Sequence, residues 1–332
     1  MTASIILYRY DASPFCKKIE TTLLLRHIPH HRVNVAFTLP RPEISDVLGI
    51  AYRRVPVLSI GGDVYCDTSL IAVALERRYN PASQRPTVFP KAKISRHTDS
   101  GLVKASALLA ESGIFRNAVG LVPWTELPAL IVQDRSAFLG TPISPDLIAT
   151  TKGRTLSFFA SHLQLLEEQL EDGREWLFGT EQSGIVDISF YVFCSWIRHL
   201  PAADGLINSK EFPGIVNWLD RFSALIAVKE SEQSQPTELT GDQAADAIMS
   251  SDLEPLDTIG FDEQEASRLG VHKDETVSIA PTDTGKDHAT VGKLVALNSS
   301  ELVIEVDCPK GMIQCHFPSI NFSAKSVKSI KD

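Results

Sequence analysis

Two short stretches near the start of the chain carry groups that could bind a small, peptide-like anion. Val55-Pro56-Val57-Leu58 is an apolar, strand-forming run, and a cis Val55–Pro56 bond would keep proline at the head of a buried strand. That geometry would leave the backbone N–H and C=O of Val55 free for a ligand backbone. Asp67-Thr68-Ser69 precedes an apolar helical run, and a helix that starts there presents free N–H groups to anions. Together they predict a docking edge beside an anion-binding helix start.

The elements that must position these groups alternate along the chain. Residues with strand character occupy 5–8, 32–35 and both sides of the Gly61-Gly62-Asp63 turn. Apolar residues recur with helical spacing in 15–27 and 67–79, and a short, weak helix is predicted at 43–48. The order βαβαββα indicates an α/β sandwich with its site at strand ends and helix starts.

Length and composition set the outer limits of the interpretation. The 332 residues suggest two or three domains, and 43% apolar with 22% charged residues is ordinary for a globular protein. A net charge of -9 argues against nucleic acid or an anionic membrane as the main partner. We predict no signal peptide and no membrane helix, because no apolar run is long enough. The five scattered cysteines lack metal-ligand spacing and indicate reduced thiols in a cytoplasmic protein.

In the order of its motifs, the chain resembles the cytosolic glutathione transferase superfamily. The resemblance rests on Ser13-Pro14-Phe15-Cys16-Lys17-Lys18 at the first predicted helix, Arg54-Val55-Pro56-Val57-Leu58, and Asp67-Thr68. It spans about the first 230 residues and implies a thioredoxin-like α/β domain over residues 1–80, which binds glutathione. An all-helical domain of the transferase type would follow over residues 88–230.

The resemblance also implies a role for each of the matched residues. Val55, which precedes Pro56, would dock the cysteinyl backbone of glutathione as co-substrate. Asp67 and Thr68 would hold the γ-glutamyl end, although the family more often has Glu-Ser or Gln-Ser there. Arg54 stands where a lysine is frequent and would suit the glycyl carboxylate.

The group that activates the thiol has more than one candidate. An ordinary thiol has a pKa of about 8.5, and a hydroxyl donor beside a helix N-terminus would lower it. Ser13 stands where serine-type members of the family keep such a donor, and we take it as the catalytic residue. Tyr8 and Tyr10 are alternative donors. Cys16 is an alternative redox centre, although a lone cysteine at that position is usually buried.

The predicted helical domain contributes the acceptor pocket. A linker at 80–86 is rich in helix breakers, and helices are predicted at 91–117 and 146–172. In this family the second substrate lies between the two domains, and we predict that Tyr10, Phe15, Phe115 and Trp124 line that pocket. Asp187, at the start of a further helix, is interpreted as a folding residue.

The last hundred residues lie outside the usual transferase plan. Residues 231–270 are predicted to be a linker with short helices. Residues 271–332 contain five runs of strand character and are predicted to form a small C-terminal β-rich module, either barrel-like or a curled sheet.

Taken together, the sequence predicts a glutathione-dependent transferase that adds the glutathione thiolate to an electrophilic small molecule. An isomerase or lyase would use the same site, and the sequence does not separate these reactions. Two alternatives are a glutathione-linked thiol–disulfide oxidoreductase acting through Cys16, and a non-catalytic binding protein with the transferase fold. We expect a cytoplasmic homodimer that uses no metal and binds neither nucleic acid nor membrane.

Overall fold

One mixed β-sheet joins the N-terminal strands of the protein to the C-terminal ones. The computed structural model describes residues 4–79 and 85–328, and within them the strands form a single ten-stranded sheet. The strands are β1 (Ile5–Arg9), β2 (His31–Asn34), β3 (Val57–Ile60), β4 (Asp63–Cys66), β5 (Thr237–Glu238), β6 (Thr276–Pro281), β7 (Thr290–Leu297), β8 (Glu301–Cys308), β9 (Gly311–Pro318) and β10 (Phe322–Ser326). Their order across the sheet is β10-β6-β7-β8-β9-β4-β3-β1-β2-β5.

The helices pack on this sheet and build a separate helical layer. They are α1 (Pro14–Leu25), α2 (Pro42–Ser45), α3 (Thr68–Arg78), α4 (Ser100–Leu109), α5 (Arg116–Ala118), α6 (Ala129–Leu139), α7 (Pro145–Leu170), α8 (Ile185–Arg198), α9 (Pro213–Ser231), α10 (Gly241–Met249) and α11 (Glu263–Leu269). A π-helical turn, Ala110–Phe115, joins α4 to α5, and 3-10 turns occupy Val119–Leu121, Trp124–Glu126, Pro201–Ala203 and Leu256–Thr258.

The N-terminal domain has the predicted thioredoxin-like order. β1 pairs in parallel with β2 and antiparallel with β3, which forms a hairpin with β4. Because successive side chains of a strand point to opposite faces, Ile5 and Leu7 of β1 enter one apolar core while Ile6 and Tyr8 enter another. The first core is closed by α1 and α3, and the second is shared with α2, α10 and the C-terminal strands. The fold class predicted for this domain is confirmed.

The helical domain departs from its predicted pattern at one place. The helix expected from residue 91 begins only at Ser100. Residues 91–93 instead lie beside 179–181, with the Lys93 N–H donating to the Gly179 carbonyl (2.9 Å) and the Glu181 N–H to the Lys91 carbonyl (3.1 Å). This pairing competes with the helix for the same backbone groups. Most of the predicted linker, residues 80–84, lies outside the described residues.

Asp187 ties the start of α8 to the rest of the helical domain. Its carboxylate accepts hydrogen bonds from the backbone N–H groups of Leu177 (2.8 Å) and Gly184 (2.9 Å) and from the indole N–H of Trp218 (3.3 Å). No side chain can cap this helix from Gly184, and the Asp187 carboxylate satisfies the Gly184 N–H itself. These contacts agree with the structural role predicted for Asp187.

The C-terminal strands do not close into the barrel that was one expectation. β10 pairs with β6, and β9, at the other end of the set, pairs in parallel with β4 of the N-terminal domain. The barrel prediction is wrong because β9 finds its second partner on the edge of the thioredoxin-like sheet. An open sheet edge presents unpaired N–H and C=O groups, and β9 supplies partners to those of β4.

A buried network of charges, which we call the β4–β9 junction, accompanies this pairing. It contains three acidic side chains, Asp63, Glu254 and Glu301, and three basic ones, Arg77, Arg78 and His316.

The β4–β9 junction is closely bonded. His316 lies between Asp63 (Nε2 to Oδ1, 3.1 Å) and Glu301 (Nδ1 to Oε1, 2.7 Å). Arg77 donates two hydrogen bonds to Glu254 (both 2.8 Å) and two to Glu301 (2.9 and 3.2 Å). Because these groups belong to β4, β8, β9, α3 and the segment before β6, the network fixes the C-terminal module on the N-terminal domain.

Candidate functional site

A cavity of about 610 Å³ opens where the N-terminal domain, the helical domain and the C-terminal module meet. All of the site residues predicted from the sequence line it: Tyr10, Ser13, Phe15, Arg54, Val55, Pro56, Asp67, Thr68, Phe115 and Trp124. The end of β1, the start of α1, the residues before β3 and the start of α3 supply the polar side. The helical domain supplies most of the apolar side.

Ser13 is placed at the start of α1 by local sequence. Pro14 fixes the first turn of the helix, and the Ser13 side-chain oxygen accepts a hydrogen bond from the Cys16 N–H (3.2 Å). A hydroxyl that accepts this bond keeps its own proton for a second partner. Ser13 lines the cavity, so its hydroxyl can donate a hydrogen bond to a ligand atom at the positive end of the helix dipole.

Cys16 and Tyr8 are much less suited to act on a thiol. Both are fully buried and neither lines the cavity. Burial raises the pKa of Cys16 to about 11, so the group is a protonated thiol at neutral pH rather than the nucleophilic thiolate. Burial likewise raises the pKa of Tyr8, and its hydroxyl has no hydrogen-bond partner in the described part of the chain.

Val55 presents its backbone to the cavity. The Val55–Pro56 bond is cis, and β3 begins only at Val57. Within residues 4–79 and 85–328, neither the N–H nor the C=O of Val55 has a hydrogen-bond partner. Since buried backbone groups are normally paired, these two unpartnered groups in the cavity wall are available to an extended ligand backbone.

The start of α3 offers a carboxylate and a free N–H. Asp67, with a positive φ of 75°, caps the helix by accepting from the N–H (3.0 Å) and hydroxyl (2.7 Å) of Ser69 through Oδ1. Thr68 is less free than its sequence suggested. Its hydroxyl donates to Glu111 (2.9 Å) and accepts from Lys18 (3.3 Å), so its backbone N–H, which has no partner in the described part of the chain, is the group left for a ligand.

Lys18 and Glu111 form an ion pair beneath this end of the cavity. Lys18 is fully buried in α1 and contacts Glu111, which the π-helical turn presents to the cavity. Burial raises the pKa of Glu111, while the neighbouring Lys18 opposes that shift. The sequence showed neither residue as part of the site, because the pair joins positions 93 residues apart.

Arg54 has a partner that the sequence did not reveal. Its guanidinium contacts the carboxylate of Asp283 and donates to the Thr284 carbonyl from Nε (3.1 Å) and Nη2 (2.6 Å). Asp283 and Thr284 belong to the loop between β6 and β7 and line the cavity. The Nε and Nη2 groups of Arg54 are thus engaged, and its role towards the glycyl carboxylate stays a prediction.

Further arginines surround Tyr10. Arg135 of α6 donates to the Tyr10 hydroxyl (3.2 Å), and the Arg41 guanidinium lies 5.3 Å from the centre of its ring. Burial raises the pKa of Tyr10, and both arginines oppose that rise. Tyr10 is thus a neutral hydrogen-bond donor in a positively charged part of the cavity. Clustered arginines also favour an anion at this place.

The apolar side of the cavity is built from aromatic rings in mutual contact. Phe15 and Phe115 meet edge to face with their centroids 4.7 Å apart, and Trp196 lies 5.3 Å from Phe115. Trp124 closes the wall and donates its indole N–H to the Val119 carbonyl (2.8 Å). Trp196 was missed in the sequence, where it reads as one more apolar position of α8. In the described ranges, no cluster of three or more metal-ligating side chains occurs.

Family comparisons identify two segments. Residues 7–84 match the family described as glutathione S-transferase, N-terminal domain, and residues 121–232 match a domain of unknown function (DUF7962). The second match includes α6, which carries Arg135, and the helices as far as α9. No curated protein matches the sequence.

Solved structures with the same fold cover between 70% and 98% of the chain. A glutathione S-transferase-like protein from Pseudomonas syringae is 23% identical, has a TM-score of 0.71, and aligns over 98% of this chain and 100% of its own. A tau-class glutathione S-transferase from mango (Mangifera indica) is 17% identical, with a TM-score of 0.51 over 70% of this chain and 93% of its own. A rice glutathione S-transferase, solved in complex with glutathione, is 15% identical, with a TM-score of 0.52 over 75% and 96%.

The alignment with the Pseudomonas protein extends through the C-terminal strands, so that protein shares the whole architecture. Among the helices that the structure describes, none is both long enough and apolar enough to cross a membrane. The chain therefore carries a match to the glutathione S-transferase N-terminal domain over residues 7–84, and its overall fold is glutathione S-transferase-like.

Proposed function

We propose that the protein is a glutathione-dependent transferase that joins the glutathione thiolate to an electrophilic small molecule. The observation that carries this proposal is a single cavity with two different sides. One side holds peptide-binding groups at Ser13, Val55, Asp67 and Thr68, and the other is a wall of aromatic rings. The tripeptide occupies the first side and the acceptor the second.

The peptide side has groups for the γ-glutamyl and cysteinyl parts of glutathione. The free backbone N–H and C=O of Val55 pair with the backbone of the ligand cysteine. At the start of α3, the Thr68 N–H and the helix dipole attract the γ-glutamyl carboxylate, and the Asp67 carboxylate attracts the ammonium group. The ligand sulfur then lies on the Ser13 side of the cavity.

Ser13 acts on the ionised sulfur. The thiol gives up its proton to solvent, and the Ser13 hydroxyl donates a hydrogen bond that favours the thiolate. The sulfur then forms a bond to the electrophilic carbon of the acceptor. Either a leaving group departs with its bonding electrons, or water protonates the adduct. Loss of glutathione from such an adduct gives isomerase or lyase chemistry at the same site.

Phe15, Phe115, Trp124 and Trp196 bind the acceptor. An apolar, aromatic wall favours flat or aliphatic electrophiles, because burial of their apolar surface against it is favourable in free energy. The wall offers them no specific polar partners. Arg116 and Arg135 also line the cavity and suit acceptors in which negative charge develops during the addition.

Substitution of Ser13 tests the proposal. With glutathione and an aryl halide as acceptor, we expect Ser13→Ala to lower kcat about 100-fold, because a donor to the developing charge is lost. The glutathione Kd, measured by calorimetry, should change less than about threefold, since the other binding groups remain. Ser13→Thr keeps both the hydroxyl and the helix cap, and it should retain most of the activity.

Two results would contradict this assignment. Equal activity in Ser13→Ala and the unsubstituted protein would remove Ser13 from thiol activation. Failure of the unsubstituted protein to bind glutathione would favour a non-catalytic role for the fold.

The proposal extends to a cytoplasmic homodimer. Leu102 and Leu109 of α4 and Phe158 and Leu165 of α7 are all exposed, and a second copy would cover this apolar surface. Light scattering should therefore give twice the 36.5 kDa mass of the chain. A monomer mass at micromolar concentration would contradict the dimer and leave the proposed chemistry untouched.

A further inference from the structure

The loop between β6 and β7, residues 282–289, reaches the candidate site from the far end of the chain. Asp283 and Thr284 line the cavity and contact Arg54, the residue next to the Val55 docking edge. The pair joins positions 229 residues apart, and the pairing of β9 with β4 places the C-terminal module against the N-terminal domain, where this contact forms.

The 282–289 loop is held in place independently of Arg54. The Thr282 N–H donates to the Asn321 carbonyl (2.9 Å), and the Gly285 N–H donates to the Phe138 carbonyl of α6 (3.0 Å). Gly285 has a positive φ of 67°, and a Cβ atom there would lie 3.1 Å from the Phe138 ring. Hydrogen bonds to Asn321 and Phe138 therefore fix the loop. The position of Asp283 beside Arg54 does not depend on the ion pair between them.

Contact with Asp283 changes what Arg54 offers to a ligand. The positive charge is already balanced by the Asp283 carboxylate, and Thr284 occupies further donors of the guanidinium. In the described part of the chain, no hydrogen bond uses the Arg54 Nη1 group. The residue can still donate to a neutral oxygen, but it no longer supplies an unbalanced charge.

We propose that Asp283 makes this end of the site select thiol peptides with an uncharged C-terminal end over those that end in a carboxylate. The inference rests on the proposed function and specifies its thiol substrate. A peptide that lies along Val55 with its γ-glutamyl end at α3 directs its other end towards Arg54. A carboxylate there would lose hydration and be repelled by the negative charge of Asp283. The oxygen of an amide would accept a hydrogen bond from Arg54 Nη1 without that repulsion.

The test compares glutathione with its C-terminal amide, in which the glycine carboxylate is replaced by a carboxamide. Calorimetry on the full-length protein gives the ratio of the two dissociation constants. We expect the amide to bind about three- to tenfold more tightly than glutathione. In Asp283→Asn, glutathione should gain affinity and the ratio should fall by a similar factor, while the amide affinity stays nearly constant.

A matched control separates local charge from net charge. Asp287 lies on the same loop, is exposed, and has no contact with Arg54. Asp287→Asn makes the same change in net charge, and it should leave the ratio as in the unsubstituted protein. Asp283→Ser provides a second variant that should match Asp283→Asn. When Arg54→Gln is already present, adding Asp283→Asn should change the ratio of the two dissociation constants less than Asp283→Asn does alone, because the Arg54–Asp283 pair no longer exists.

The possible failures are distinguishable. If both ligands bind but Asp283→Asn and Asp287→Asn give the same ratio as the unsubstituted protein, this inference is overturned and the proposed function stands. If the unsubstituted protein binds glutathione more tightly than the amide, the inference is likewise overturned and the proposed function stands. If neither ligand binds to any variant, the proposed function fails, and the inference falls with it.

Discussion

The C-terminal module meets the N-terminal domain in two places that differ sharply in burial. At the β4–β9 junction, the side chains of Asp63 and His316 are 0% exposed and that of Glu301 is 3% exposed. At the cavity, the Arg54 side chain is 19% exposed and that of Asp283 is 40% exposed. The same kind of interaction, an ion pair across the domain boundary, therefore stands in two different environments.

The difference separates a structural contact from an adjustable one. Removal of one partner from a buried pair leaves an unpaired charge in the interior, which costs about 3–5 kcal/mol. A pair with one solvent-exposed member, such as Arg54 and Asp283, keeps part of its hydration and contributes about 0–1 kcal/mol. The β4–β9 junction thus fixes the module, and the contact at Arg54 can vary with little effect on stability.

The largest effect is expected at Arg77. Arg77→Met removes four hydrogen bonds from Glu254 and Glu301, which stay buried, so the free energy of unfolding should fall by about 3 kcal/mol or more. Urea unfolding measures this change. Arg268→Met is a suitable control, because Arg268 pairs with Glu265 on the exposed side of α11 and should lose less than about 1 kcal/mol. Equal losses in the two variants would show that the junction does not fix the module.

An intermediate effect is expected from the titration of His316. Burial lowers its pKa, but the hydrogen bonds that it donates to the Asp63 and Glu301 carboxylates raise it more, so the folded-state pKa lies above the usual value. Stability from this group is fully present below the unfolded pKa of about 6.5, and it is lost as the pH rises through the higher folded value. The free energy of unfolding should fall over that range by up to about 1.4 kcal/mol per pH unit.

Histidine substitutions isolate this slope. His316→Gln should flatten the dependence above pH 6.5. His272→Gln, at an exposed position before β6, should preserve it. If the profile of His316→Gln keeps the slope of the unsubstituted protein, the junction histidine does not carry a proton into the folded state.

The smallest effect on stability is expected at the cavity. Asp283→Asn should change the free energy of unfolding by less than about 0.5 kcal/mol, because the pair is partly solvated. Thermal unfolding measured beside the ligand-binding ratios would establish this. If Asp283→Asn lowered the free energy of unfolding as much as Arg77→Met, the contact at Arg54 would be as important for stability as the β4–β9 junction, which would contradict the distinction between them.

Local chemistry made much of the N-terminal site predictable from sequence. Proline cannot donate in a strand ladder, so Val55-Pro56 marked the boundary of β3. Asp67 and Ser13 are helix caps, and caps can be found from two or three neighbouring residues. Each of these signals is contained in one short segment, and each residue lies in the cavity.

Contacts between distant segments were not predictable. Asp283 reads as a turn residue, and nothing near it indicates a partner at Arg54. The open edge of β4 was assigned no partner, so five C-terminal strands suggested a closed barrel instead of an extension of the sheet. Thr68 was expected to keep a free hydroxyl, which Lys18 and Glu111 occupy from two other helices.

The central claim is that the cavity binds glutathione between Val55 and the start of α3, with its sulfur at Ser13. A crystal structure of the protein soaked with glutathione tests it most directly. We predict backbone hydrogen bonds between Val55 and the ligand cysteine, and a sulfur atom within about 3.5 Å of the Ser13 hydroxyl. A tripeptide bound elsewhere, or with its sulfur directed away from Ser13, would contradict the account.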